Sequence, residues 1–332
     1  MLSPIAVVRY PAWTVTRQNS EVNVGQANPP AGQHPAPLTV GVIGAGRVGS
    51  ALGTALARAG HVVVAASGVS EESRLRIADR LPGAALAEPH EVLARAELIL
   101  LTVPDDALPA LVSGLAATGA ELAGRLLVHT SGRYGTAVLE PASRLGALPL
   151  AIHPVMTFTG RPDDADRLDG TSFGVTAPDQ LRPVAEALVI EMGGEPVFIA
   201  EANRGLYHAA LASAANHLVS LVAEAADLLR LAGAADPGRL LNPLLFAALD
   251  NALRLGDAGL TGPVARGDAD TVATHLDVLA AASPRAREAY LALARLTTSR
   301  AEAAGLLKPA DAQRLHEVLA DAAADGQEGA AG

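Results

Sequence analysis

"LTVGVIGAGRVGSALGTALARAG" (residues 38–60) decides how the rest of the chain is read. Its first six residues are an apolar run of strand length. Gly44-Ala45-Gly46-Arg47-Val48-Gly49 follows at once, and then a helix-like stretch rich in alanine and glycine. A Gly-x-Gly-x-x-Gly string alone says little; between a strand and a helix it marks a phosphate-binding turn. Gly44 permits the tight turn, Gly46 lets a pyrophosphate approach the backbone, and Gly49 lets the helix pack closely on the strand. The free N–H groups and dipole of the helix then favour the phosphates, with Ala45, Arg47 and Val48 completing the loop. The competing interpretation is a glycine-rich turn that holds no ligand.

Working outward, "HVVVAAS" (61–67), "ELILLTV" (97–103), "RLLVHTS" (125–131) and "LPLAIH" (148–153) are short, mostly apolar and separated by helical stretches. Buried parallel strands in a βαβ series have this form. "SFGVTA" (172–177) and "PVFIA" (196–200) add one or two strands, after which strand signals stop. Residues 202–232, 237–256, 268–282, 284–304 and 309–323 read as helices bounded by Pro and Gly. The expected fold is α/β: an N-terminal Rossmann dinucleotide-binding domain (38–200) followed by an all-α C-terminal domain (201–324). A Pro-, Gly-, Gln- and Asn-rich flexible leader (1–37) precedes them, and a disordered tail (325–332) follows.

The chain of 332 residues is 50% hydrophobic but 3% aromatic, so its cores must be built from Ala, Leu and Val. The net charge of −10 and the lack of a basic tract argue against nucleic acid or an anionic membrane as partner. No uninterrupted apolar run reaches the ~18–20 residues of a membrane span. The N-terminus lacks the ordered regions of a signal peptide, and a cytoplasmic protein is expected. With no cysteine, disulfides, thiolate metal sites and a cysteine nucleophile are excluded, and no metal site is expected. Lys308 is the only lysine, which removes nearly every lysine-based mechanism.

Where the second strand ends, an NAD site usually carries an acidic residue. Here Ser67, Ser70, Ser73 and Arg74 stand instead, donors suited to a 2′-phosphate, and they favour NADP. Glu71 and Glu72 either repel that phosphate or lie at the exposed start of a helix. In "TVPDDAL" (102–108), Val103 and Pro104 flank the cofactor crevice, while Asp105 or Asp106 reads as a helix N-cap.

Two later loops leave the carboxyl edge of the sheet, where ligands bind in open α/β folds. In "HTSGRYG" (129–135), Ser131 and Gly132 offer a hydroxyl and N–H groups to a carboxylate or to the nicotinamide amide. In "IHPVMTF" (152–158), His153 either points into the crevice or is a core histidine bonded to a backbone carbonyl. The helix "LYHAALASAANHLVSL" (206–221) keeps His208 and Asn216 on one broad face, just after Arg204, among small residues that allow close approach. That polar row faces either the crevice or an interface. Carbonyl reduction needs a proton donor and hydrogen-bond donors at the developing alkoxide, which suits His208 as acid and Asn216 as orienting group. Tyr207 is an alternative acid, but it sits ~100° round the helix from His208, so the two are not expected to serve one atom. In "TGPVARGDADTV" (261–272), Asp268 is a natural N-cap. Arg266 lies in the loop before it, either gripping a substrate carboxylate or pairing with Asp268 at the surface.

Taken in order, the phosphate loop, "TVPDDAL", "HTSG", "HPVMTF", "YHAA…NH" and "TGPVARGD" resemble a family that joins a Rossmann-like domain to a helical domain of unknown function. The resemblance covers residues 38–322. The build is similar to that of ketopantoate reductases, pyrroline-5-carboxylate reductases and the 6-phosphogluconate dehydrogenase group. It implies an NADPH-dependent reductase of a small 2-oxo acid, ketopantoate first, acting in pantothenate synthesis as a homodimer through the helical domain. The better-known ketopantoate reductases use a helical-domain lysine as proton donor. None stands there in this chain, so His208, His153 or a bound water must replace it. A cyclic-imine reductase and a non-catalytic NADP-binding regulator are the other expectations.

Overall fold

The computed structural model describes residues 37–328; the rest of the expected leader and residues 329–332 lie outside them. Eight strands form one sheet: β1 (Thr39–Ile43), β2 (Val62–Ser67), β3 (Ala85–Leu86), β4 (Leu98–Leu101), β5 (Leu126–His129), β6 (Leu148–Pro154), β7 (Ser172–Thr176) and β8 (Glu195–Phe198), in the order β3-β2-β1-β4-β5-β6-β7-β8. Neighbours run parallel except β6 and β7. The order reverses beside β1, where open α/β sheets bind ligands at the carboxyl edge. The short β3 has no apolar run to announce it, and both its residues are exposed.

Helices α1 (Arg47–Arg58), α2 (Glu71–Arg80), α3 (Pro89–Arg95), α4 (Leu108–Ala117), α5 (Glu140–Ser143) and α6 (Arg182–Glu191) cover the sheet. Alternation along each strand feeds a core on either face. Val40, Val42, Leu98 and Leu100 join Leu52, Leu56 and Leu188 on one side. Ile43, Ile99 and Leu101 join Val92, Leu93 and Val112 on the other.

Beyond β8 the chain is helical: α7 (Arg204–Leu231), α8 (Pro237–Leu255), α9 (Gly262–Arg266), α10 (Ala269–Ala282), α11 (Pro284–Ala303) and α12 (Pro309–Glu328). Side chains of Asp236, Asp268 and Ser283 cap α8, α10 and α11 by accepting from the N–H three residues on, as such residues do at N-caps. A third core, with Val272, Leu276, Leu291, Leu315 and Leu319, gathers α9–α12. Two expectations change. Residues 262–266 form the short α9 instead of a loop, because Thr261 is extended and Pro263 fits a first turn. And α12 runs on to Glu328, into the expected tail.

The phosphate loop depends on closeness. A Cβ on Gly49 would collide with the Thr102 hydroxyl and stand 2.7 Å from the Gly44 carbonyl oxygen. Gly49→Ala is therefore expected to cost about 1–3 kcal/mol by overpacking, read as a lowered urea midpoint; an unchanged midpoint would show that α1 can move off the strand.

Candidate active site at the carboxyl edge of the sheet

At the first turn the loop is built as its glycines require. Gly44 has φ of +90°, in the left-handed region, and a Cβ there would also press on Val103 at 2.9 Å. The Thr102 hydroxyl donates to the Gly44 carbonyl at 2.7 Å, and the Ala45 N–H donates to the Ser67 carbonyl at 2.8 Å. Over Gly46 the nearest atom to an added Cβ is 3.8 Å away, so the backbone is open to an approaching group. The N-terminus of α1 has no side-chain cap and no acidic residue in its first turn, which leaves its N–H groups for an anion. Arg47 is exposed beside them. These residues fit a dinucleotide pyrophosphate.

The expected 2′-phosphate donors are largely engaged elsewhere. The Ser67 hydroxyl accepts from the Gly44 N–H at 3.3 Å and pins the loop. Ser70 caps α2, and the buried Ser73 hydroxyl donates to the Ser70 carbonyl. Arg74 spends its Nε on the Gly68 carbonyl and leaves the remaining guanidinium at the surface. Glu72 folds back on its own N–H and on Ser70, which hold its carboxyl below the usual range; it lies at the exposed helix start.

Val103 packs against Gly44, as noted, and the Pro104 carbonyl accepts the first N–H groups of the turn into α4. The aspartates of "TVPDDAL" do not cap that helix. Ala107 is its N-cap, with no side-chain bond. The helix begins three residues past Asp105, too late for either carboxylate to occupy the cap position. Instead the charge of Asp105 is felt by His129, His153 and Arg204.

Ser131 is a corner of its own loop. Its hydroxyl accepts from the Arg133 and Tyr134 N–H groups at 3.2 Å each, and only 7% of the residue is exposed. Both acceptor positions of the hydroxyl are thus taken by the turn, while its O–H remains a donor. His129, which the sequence did not single out, is the core histidine here. Nδ1 accepts from the Ser131 N–H at 3.2 Å, so the proton sits on Nε2, which donates to the Gly135 carbonyl at 2.8 Å.

His153 makes no carbonyl bond: its Nδ1 lies 2.8 Å from the Tyr207 hydroxyl. The His208 ring stands edge-on, with centroids 6.3 Å apart. A Cβ on Gly132 would stand 3.0 Å from His153 Nε2 and 2.7 Å from His208 Cδ2, so only glycine lets both rings close on this loop. Tyr207 and His208 thus both stand against the His153 ring, the phenol at Nδ1 and the second imidazole edge-on to it. Arg204, noted in the sequence only as a neighbour of the row, anchors the group. It is 1% exposed and donates to the carbonyls of Ser131 (2.7 Å), Tyr134 (2.8 Å) and Gly174 (3.1 Å). Glu201 adds a clasp, accepting from the N–H groups of Thr136 and Ala137.

Two expected members stay apart. Asn216 is exposed, its side chain without a hydrogen bond among the described residues, and eight residues of helix put it ~12 Å along the axis from His208. Arg266 is exposed at the end of α9, whose buried Val264 packs into the core of α10–α12. Sharing a helix face did not bring Asn216 to the sheet, because only the first turns of α7 rest on it. Asp268 caps α10, as expected, and the Thr271 hydroxyl and N–H hold its carboxyl low, with a smaller contribution from the Arg266 charge.

Burial, reinforced by the Arg204 charge, lowers His153 to about 4; burial above all lowers His129 to about 4. Both rings are uncharged at neutral pH, so His153 cannot act there as an imidazolium acid.

With that geometry the chain can be set beside known proteins. Residues 24–154 match the model of a Rossmann-like domain and residues 171–297 that of a domain of unknown function, DUF2520. The chain thus belongs to the proteins that join a Rossmann-like domain to a DUF2520 domain. It is 32% identical over 170 residues, 47% of this chain and 50% of the other, to a glycerol-3-phosphate dehydrogenase [NAD(P)+] of Bradyrhizobium sp. (strain ORS 278); it spans about half the length of that curated relative. Among solved structures it is similar to a putative NADP oxidoreductase, BF3122, from Bacteroides fragilis, with 25% identity, TM-score 0.65, and coverage of 79% of this chain and 98% of that one. It shares the fold of an imine reductase from Pseudomonas sp., with 21% identity, TM-score 0.58, and coverage of 85% and 99%. What the chain shares with the dehydrogenase, the putative NADP oxidoreductase and the imine reductase is a Rossmann-type dinucleotide-binding fold.

The histidines make stability pH-dependent in a defined window. Folded values near 4 against 6.5 for a free histidine mean that the unfolded chain binds more protons between those limits. Stability is then complete above pH 6.5 and falls as pH drops toward 4. Urea midpoints measured across that range should decline steadily; a flat profile would show that the rings are not held neutral.

Proposed function

We propose that the protein is an NADPH-dependent reductase of a small carbonyl or imine compound. The 2-oxo acid ketopantoate is the first candidate and a cyclic imine of the pyrroline-5-carboxylate type the second. The observation that carries this is the convergence of His153 and His208 on Gly132, at the sheet edge that also holds the open phosphate loop. The nicotinamide supplies the hydride to the substrate carbon. His208, partly exposed at the crevice, gives the proton to the oxygen or nitrogen, and His153 faces the same atom. Arg74 supports NADP over NAD because its guanidinium remains at the surface next to the end of β2. The imine reading gains from the electrostatics: His153 is neutral and the only lysine, Lys308, is exposed in the loop before α12. An imine that arrives protonated needs no strong acid.

The division into a cofactor domain (38–200) and a helical domain (201–324), a cytoplasmic setting and a homodimer belong to the same proposal. Leu206, Val219 and Leu231 on α7, with Leu244 and Leu253 on α8, are each 64–76% exposed. A groove of about 990 Å³ between α7 and α11, lined by Leu221, Leu228, Leu279, Leu293 and Tyr290, lies beside them. The same chain therefore carries both apolar ridges and an apolar furrow, and a second copy is the occupant that matches them. By length and composition the run Glu201–Leu231 would also serve to cross a membrane, at a mean hydropathy of 1.2. Yet the row carries Arg204, Tyr207 and His208 at an end fastened to the sheet. Light scattering is expected to show a dimer; a monomer, or a protein that partitions into lipid vesicles, would overturn the assignment.

The activity test is NADPH oxidation with ketopantoate, beside pyrroline-5-carboxylate, with NADH as control. Saturable turnover is expected for one of the two. His208→Ala should lower kcat by about 10²–10⁴-fold, the worth of a general acid, while NADPH still binds. Tight NADPH binding with no turnover of any keto acid or imine would leave a non-catalytic cofactor-binding protein and overturn the reductase.

A further inference from the structure

The reduction just proposed has no use for Tyr207, yet the fold makes room for it at some cost. A Cβ on Gly174 would collide with the Tyr207 hydroxyl, so β7 gives up a side chain where the phenol enters. Burial pushes the phenol upward from its ordinary value, so it keeps its proton at neutral pH. The phenolic O–H, half-buried against β7, donates wherever an acceptor stands within reach. Among the described residues, the acceptor within reach of this hydroxyl is His153 Nδ1, at 2.8 Å.

That decides the direction of the bond. Were His153 to donate from Nδ1, the phenolic hydrogen would have no acceptor among the described residues, and Nε2 would present a bare lone pair to the crevice. With Tyr207 donating, both groups are satisfied and the imidazole proton is displaced to Nε2. The Arg204 guanidinium, 5.4 Å from the Tyr207 ring centroid, adds positive charge that favours the phenol as donor. Nε2 is the atom that faces Gly132, and it has no hydrogen bond to protein among the described residues.

We propose that Tyr207 is a positioning residue: it holds His153 in the Nε2–H form, so that a neutral N–H points across Gly132 at the atom being reduced. A neutral imidazole donor stabilises developing negative charge without giving up its proton, which leaves proton delivery to His208. This division of labour rests on the proposed reduction; the tautomer itself does not.

The experiment is long-range 1H–15N NMR on full-length protein labelled at histidine, near neutral pH. His153 is assigned by the signal lost in His153→Gln. The wild type should show the proton on Nε2, and Tyr207→Phe, which keeps the ring, should show a mixture of tautomers. A wild type protonated on Nδ1, or a Tyr207→Phe spectrum identical to it, overturns the proposal. With whichever substrate turns over, Tyr207→Phe should lower kcat about tenfold at nearly constant KM, the order expected when one neutral hydrogen bond no longer biases the tautomer. Absence of turnover on every substrate would sink the reductase reading, while the spectrum would still judge the tautomer.

Discussion

A buried guanidinium that among the described residues pairs with carbonyls and no carboxylate is the interaction on which the site depends. Arg204 is 1% exposed and spends itself on three backbone carbonyls. Stripping water from a charge is expensive. Hydrogen bonds from a charged donor recover about 1.5–3 kcal/mol each, so the arrangement holds only if all three are made together. The carbonyls belong to the loop after β5 and to β7. One side chain thereby fixes the Gly132 loop, the antiparallel edge of the sheet and the start of α7 in a single geometry. Tyr207 and His208 stand three and four residues on, which places them over the same face of the helix. Their positions follow from the clamp.

The same choice sets the electrostatics. A carboxylate partner would have cancelled the Arg204 charge locally; carbonyl oxygens solvate it without neutralising it. Its field therefore reaches His129 and His153 and adds to the burial that keeps both neutral, opposed in part by Asp105. A site held this way offers N–H donors rather than a row of cations. That suits charge that appears only as hydride arrives, because fixed dipoles need no reorganisation at that moment.

Much of the cofactor half was legible in the sequence because its demands are local. Gly44 must take a positive φ, Gly49 must lie against Thr102, and strands of four to seven residues buried on both faces must be apolar. What failed there was equally physical. β3 pairs through two backbone residues with exposed side chains, leaving no pattern to find. Asp105 and Asp106 look like caps, but the Pro104 carbonyl takes the first bonds and delays the helix to Leu108. In the helical half, periodicity told which residues share a face of α7 but not which end of it meets the sheet. His208 and Asn216 were equivalent by that criterion, and tertiary contact alone separates them. The angular argument separates Tyr207 from His208 as acids for one atom, but a helix face does not reveal that a third residue, His153, meets both side chains. Arg204 left no signal at all, since an arginine at the start of a helix reads as surface.

The position of the clamp also explains why α7 can be so exposed without loosening the chemistry. Of its 28 residues only Arg204 is buried, and a helix of that length extends ~42 Å. Isolated helices are marginal in water, and the far turns of α7 rest instead on α8 and on α11, where Glu224 accepts from Arg285 at 2.8 Å. The near turns are held by Arg204 and Glu201, through bonds that end within one turn of Tyr207 and His208. Burying the distal leucines, each worth about 1.5–3 kcal/mol when taken from water, would act mainly on the stability of the helical half. The geometry over Gly132 is set at the sheet, by hydrogen bonds; the length of α7 beyond it is free to serve association.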